Sequence, residues 1–147
     1  MIIHFICRGN AFRSRMAEAY FNSLNIKDAT AISSGTVAKL HSQVNKDNFK
    51  ITQTVLEEHG LKKYTKPDWD QLTQERLDSG DITVYLSKSV KDECDSLFKP
   101  VHNTFVLNVP DFDEAIPKIE TDEDINGYAE NTFTLVASSI DEFAHIL

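Results

Sequence analysis

No apolar run in this chain approaches 18 residues, so nothing in it reads as a membrane-spanning helix and no membrane partner is expected. No secretory leader is expected either, because the short apolar run at the N-terminus leads directly into Arg8. Cysteine is scarce: Cys7 and Cys94 are the only two, which fits a reducing cytosol in which a thiolate persists. Positive charge is in deficit, with 15 Lys and Arg against 23 Asp and Glu and a net charge of -8. That balance argues against nucleic acid as a partner, since phosphate backbones require a basic face. Neither an internal repeat nor a low-complexity linker interrupts the 147 residues, and 41% hydrophobic residues are enough to fill one core. A single domain over residues 1–147 is expected.

What the chain does have is concentrated at its start. Ile2 to Ile6 is a β-branched and aromatic run broken only by His4, the pattern of a strand buried on both faces of a parallel sheet. Gly9-Asn10 follows, the two residues that most readily take positive φ, so successive N–H groups there can curl inward as an anion-binding nest. From Ser14, read as an N-cap, the period becomes helical through Met16, Tyr20 and Leu24. A helix N-terminus carries unpaired N–H groups and about half a positive charge, which prepares the loop for an oxyanion. Cys7 stands at the lip of that loop, where Arg13 and the helix end favour its thiolate, the nucleophilic form. Arg13, six positions on, can lay its planar fork across two phosphate oxygens as a lysine could not. The plain alternative is a buried structural cysteine at a strand end. It leaves Arg8, Arg13 and Arg15, crowded into this one stretch, unexplained.

Cys-x5-Arg-Ser at the end of an N-terminal strand, with Gly9-Asn10 inside and Met16-Ala17-Glu18 after it, resembles the low-molecular-weight protein tyrosine phosphatase superfamily. That superfamily also contains thioredoxin-coupled arsenate reductases. The resemblance implies that Ser33, in the second strand ending at Gly35, steadies the loop. It also implies a histidine past Gly60 in a bracing network; this chain has Tyr64-Thr65 there. The reductases place resolving cysteines at two positions occupied here by Ser87 and Cys94. Phe12 replaces the vicinal cysteine carried by many of the phosphatases. By the same resemblance, an aspartate after the fourth strand protonates the leaving oxygen. Val109-Pro110-Asp111 matches that pattern, Asp113 is a second candidate, and an acidic surface loop is the competing reading.

The remaining pattern predicts the scaffold. Asn45 is a candidate cap for a helix carrying Phe49, Ile51, Val55 and Leu56, with Gly60 as its C′ residue and His59 as a helix-terminus cation. Val37 to Val44 reads as a polar loop walling the cleft. Pro67 to Leu77 reads as a short helix with Trp69 and Leu72 inward, and Ile82 to Leu86 as the third strand. Val90, Cys94, Leu97 and Phe98 then recur at helical spacing, giving Cys94 the reading of a small core residue. Thr104 to Asn108 reads as the fourth strand. Asp122-x-Asp124-x-Asn126-Gly127 copies half of an EF-hand loop, but its twelfth position is Phe133 where a glutamate is required. These acids are therefore read as the start of a last helix capped by Thr121, with Phe133, Val136, Ile140, Phe143 and Leu147 as its core stripe.

Together these features predict an α/β three-layer sandwich: a four-stranded parallel sheet of order 2-1-3-4, as the resemblance implies, with helices on both faces. The expected activity is hydrolysis of phosphotyrosine or a similar aryl phosphate through a phosphocysteine. Cys7, Arg13 and Asp111 are the expected catalytic residues, and Arg8, Gly9, Asn10, Ala11, Phe12 and Ser14 the phosphate-binding ones. No metal or other cofactor is called for. A phosphorylated protein or small aryl phosphate is the expected partner, and the chain is expected to be a monomer or weak dimer. Arsenate reduction on the same loop, with Cys94 or an external thiol resolving the adduct, is the first alternative. A non-catalytic phosphate-binding regulator is the second.

Overall fold

Strand β1 (Ile2–Cys7) lies inside a sheet, between β2 (Thr30–Gly35) and β3 (Ile82–Tyr85), as its lack of polar alternation requires. A short β4 (Thr104–Val106) pairs with β3, giving the order 2-1-3-4 with every pairing parallel. The computed structural model describes residues 1–40, 42–111 and 122–147. Its helices are α1 (Arg13–Ser23), α2 (Ser42–Glu58), α3 (Gln74–Ser79), α4 (Lys88–Leu97) and α5 (Asp122–Ala144), with a 3-10 turn at Lys62–Tyr64.

Alternation along β1 sends its side chains to two separate cores. Ile3, Phe5 and Cys7 join Met16, Ala17 and Phe21 of α1, Val55 and Leu56 of α2, and Phe133, Val136, Ile140 and Phe143 of α5. Edge-to-face contacts between the Phe5 ring and those of Phe21 (5.9 Å) and Phe143 (6.4 Å) tie α1 and α5 to the same strand. Ile6 turns the other way and packs with Leu77 of α3, Tyr85, and Val90 and Cys94 of α4. Helices therefore cover both faces of the sheet.

Several boundaries differ from the pattern in the sequence. Residues 70–72 do not coil. Gly35 N–H donates to Asp70 O (2.9 Å) and Leu72 N–H to Gly35 O (2.8 Å), so this segment extends along the end of β2 and helix α3 starts only at Gln74. Thr73 is the cap of α3, its hydroxyl accepting from Arg76 N–H. Trp69, read as core, is half-buried. Helix α2 begins at Ser42, ahead of Asn45, and takes up part of the Val37 to Val44 loop. Leu97 (54% exposed) and Leu147 (42%) lie outside the stripes assigned to them, and β3 and β4 end at Tyr85 and Val106. His59 pairs with Glu130 and stacks on Phe133, joining α2 to α5. Helix α5 starts at Asp122, so the half EF-hand pattern is helical rather than a cation loop. Phe112, Asp113 and Thr121 lie outside the described residues.

Candidate active site

The loop between β1 and α1 is held by its carbonyls. Cys7 O accepts from Thr36 N–H and Arg8 O from Val37 N–H, each at 3.0 Å. Asn10 O accepts from Arg15 Nε (2.5 Å) and Ala11 O from Thr52 Oγ1 (2.6 Å). In a planar trans peptide the next N–H points opposite to its carbonyl. Tying these four carbonyls outward therefore turns the N–H groups of Arg8, Gly9, Ala11 and Phe12 the other way. The same four residues, with Cys7, Arg13, Asn48 and Asp111, line a cavity of about 50 Å³. A space of that size suits a small tetrahedral oxoanion.

Asn10 organises the inner side of the loop. Its φ of 53° lies in the left-handed region that asparagine tolerates, and its N–H donates to Cys7 Sγ (3.2 Å). Its Nδ2 donates to Ser14 Oγ and Ser33 Oγ, both at 2.8 Å, while its Oδ1 accepts from Asp70 N–H at 2.7 Å. Ser14 Oγ in turn lies 2.9 Å from Cys7 Sγ. Ser14 is thus not the N-cap. That position belongs to Phe12, which makes no side-chain cap bond, and Ser14 sits one residue inside the helix with its hydroxyl aimed at the sulfur.

Arg13 is 2% exposed. Its Nη1 donates to Val109 O (2.8 Å) and, more weakly, to Ser87 Oγ (3.4 Å), while Nη2 lies 3.4 Å from Asp111 Oδ2. The arginine thereby joins the nucleophile loop to the start of the loop carrying the candidate acid. The Phe12 ring packs at a tilt against that of Tyr128 of α5 (5.9 Å), whose hydroxyl reaches Pro110 O at 3.4 Å. Arg8 turns to the rim and pairs with Glu93, which also accepts from Thr36 Oγ1.

A set of part-buried charges braces the loop from behind. Lys66 Nζ reaches Ser33 O and Asp70 Oδ2, both at 2.6 Å, and Arg76 donates to Ser34 Oγ (2.9 Å) and Ser33 O (3.2 Å). Burial pushes the Glu18 carboxyl up against the pull of Lys66 and Arg15, and pushes the Lys66 ammonium down. Lys66 and Asp70 brace this part of the site in a chain that has Tyr64-Thr65 where the resemblance implied a histidine.

Every residue assigned to the site from sequence lies at this loop except Asp111, which closes it from the β4 side. Sequence reasoning missed Thr52, Lys66, Asp70 and Tyr128, and Arg15, crowded with Arg8 and Arg13 in sequence, turns its side chain away from the anion cavity. Cys94 is buried in the opposite core against Tyr85, and burial raises its thiol. Among the described residues no group of three His, Cys, Asp or Glu could hold a metal ion, and no helix is long and apolar enough to cross a membrane.

A parallel α/β sheet with a cysteine and a buried arginine on its first strand-to-helix loop is the arrangement of a cysteine-based phosphatase. The low molecular weight phosphotyrosine protein phosphatase family model matches residues 2–147, and the chain belongs to that family. Among solved structures, a low molecular weight protein tyrosine phosphatase from T. tengcongensis is 22% identical with a TM-score of 0.75, over 100% of this chain and 99% of its own. Wzb from Vibrio vulnificus, in complex with benzylphosphonate, is 18% identical with a TM-score of 0.78, over 99% and 98%. The YwlE arginine phosphatase from Geobacillus stearothermophilus is 20% identical with a TM-score of 0.68, over 99% and 93%. At these identities the likeness is one of fold. No curated protein sequence matches the chain.

Proposed function

We propose that the chain hydrolyses phosphotyrosine, or a similar aryl phosphate, through a phosphocysteine. The observation that carries this reading is the convergence of Cys7, Arg13 and Asp111 on one cavity of about 50 Å³ whose loop carbonyls are tied outward. The Cys7 thiolate attacks phosphorus while the N–H groups of Arg8, Gly9, Ala11 and Phe12 and the Arg13 fork hold the equatorial oxygens. The bond from phosphorus to the aryl oxygen breaks, and Asp111 gives its proton to that oxygen. Water then attacks phosphorus, Asp111 takes its proton, and the phosphorus–sulfur bond breaks to release phosphate and restore the thiolate. With Asn10 Nδ2 donating into it, Ser14 Oγ has its own proton to offer the sulfur, which steadies the thiolate in both steps. Loop dipoles and arginine supply the positive charge, so the chemistry needs no metal.

The family description supports an aryl phosphate, as does the benzylphosphonate held by the Vibrio Wzb. Arginine phosphatases share the fold, so phosphoarginine is the competing substrate. Against arsenate reduction stands Cys94, which packs on the far face of the sheet from Cys7. Both cysteines are free, as a role in a reducing cytosol requires.

The test is turnover of p-nitrophenyl phosphate and of phosphotyrosine and phosphoarginine peptides. Cys7→Ser is expected to abolish it, and Asp111→Asn to lower kcat by roughly 10²- to 10⁴-fold, the usual worth of a positioned acid. A larger loss in Asp113→Asn would move the acid to that residue. Preference for phosphoarginine would replace the substrate class, and turnover only of arsenate with thioredoxin would replace the reaction.

A further inference from the structure

Arg15 is two residues from Arg13, yet its side chain leaves the anion cavity and runs behind the loop. It is 1% exposed, with Nε donating to Asn10 O at 2.5 Å and Nη1 to Lys66 O at 2.7 Å. Its guanidinium carbon lies 4.1 Å from the centre of the Phe49 ring on α2. Burying an arginine on two neutral carbonyls is expensive, and Glu18, Asp68 and Asp70 offset this only through the field they add. The bond that Nε makes identifies the return. Asn10 is the loop residue with positive φ, and the peptide after it is the one whose rotation would aim a carbonyl, instead of an N–H, at a bound anion.

We infer that Arg15 is a positioning residue: it locks the Asn10–Ala11 peptide so that Ala11 N–H faces the oxoanion, while touching no substrate itself. The inference rests on the reading of the loop as an oxoanion cradle. Lysine cannot replace it, because a single ammonium cannot span both carbonyls and lie flat on the Phe49 ring. Arg15 also forms part of the lining of a groove of about 470 Å³, shared with Ala11, Phe49, Pro67 and Trp69. Truncation at Arg15 therefore opens a slot that a small guanidinium ion can enter from solvent.

The experiment measures kcat/KM for p-nitrophenyl phosphate and the inhibition constant of inorganic phosphate. Wild type, Arg15→Ala and Arg15→Lys are compared with and without millimolar methylguanidinium, alongside unfolding curves. Arg15→Ala is expected to lose roughly 10²-fold in kcat/KM, the scale of one oxyanion donor, and to bind phosphate about tenfold more weakly. Arg15→Lys should resemble it. Methylguanidinium should recover about a tenfold share in Arg15→Ala and nothing in wild type. Variants within twofold of wild type would overturn the inference. So would lost turnover with unchanged phosphate inhibition and no rescue, or the failure of both variants to fold, which would leave Arg15 a purely structural part. Wild type that neither turns over the ester nor binds phosphate would overturn the proposed function and this inference with it.

Discussion

A methyl group added at Gly35 would stand 2.4 Å from Arg8 O, 2.8 Å from Asn10 N and 2.9 Å from Gly9 C. All three are backbone atoms of the nucleophile loop, so no side chain can swing aside to make room. Gly35 is glycine because of this approach, since Cys7 lies opposite it in the β1–β2 register. Gly35→Ala must push the loop away from the sheet end. The expected cost is about 1–3 kcal/mol of stability, the usual range for overpacking. Phosphate binding should weaken with it, because the same shift misaligns the N–H groups of Gly9 and Ala11. Urea unfolding beside phosphate inhibition reads both quantities. Stability lost with phosphate binding intact would mean that the loop geometry does not depend on this contact.

At the scale of elements, the end of α2 shows sequence and structure in agreement. Gly60 has a φ of +70°, its N–H donates to Glu57 O (3.1 Å), and Leu61 N–H donates to Leu56 O (2.7 Å), the paired bonds of a Schellman cap. A Cβ at Gly60 would meet nothing within 4 Å, so Gly60→Ala isolates the backbone term. It should destabilise by about 1–2 kcal/mol, with Gly60→Asn costing less and turnover unchanged in both. Equal urea midpoints for Gly60→Ala and wild type would contradict this. Such signals are local, which is why the buried strands, the α2 terminus, the α5 stripe and the Cys7–Arg13 loop were all readable in order along the chain. The misread elements are those where a distant partner decides. Residues 70–72 follow Gly35 into an extended pairing instead of the helix suggested by Trp69 and Leu72. Ser14 serves Cys7 instead of capping α1. Thr52 reaches a loop carbonyl 41 positions away and the Lys66 carbonyl accepts from Arg15 51 positions away, and neither a threonine in a helix nor a carbonyl in a connecting segment carries any mark of that use.

The whole molecule should respond to acid through the charges beneath the loop. His4 is fully buried, its Nε2 lies 2.8 Å from Ser34 Oγ, and Nδ1 has no hydrogen-bond partner. Burial first, then the nearby Arg76 and Lys66 cations, lowers its pKa from 6.5 to about 3. The unfolded chain therefore takes up a proton at His4 near pH 6.5, while the folded chain stays neutral there until about pH 3. Between those limits the unfolded state binds more protons, so stability is lost as the pH is lowered, by about 1.4 kcal/mol per unit from this group alone. Glu18 acts in the opposite sense: burial raises its carboxyl, so the folded state keeps a proton that the unfolded state has released. Asp70, whose carboxyl burial lifts but Lys66 and Arg76 lower further, acts only below its ordinary 3.8. The comparison that isolates His4 is wild type against His4→Gln, unfolded in urea at steps from about pH 6.5 to 4. Wild type should lose stability more steeply by about 1.4 kcal/mol per unit across that window, whatever the offset between the two curves. Parallel curves would mean that His4 is protonated in the folded protein, and that the cations beneath the loop do not hold it neutral.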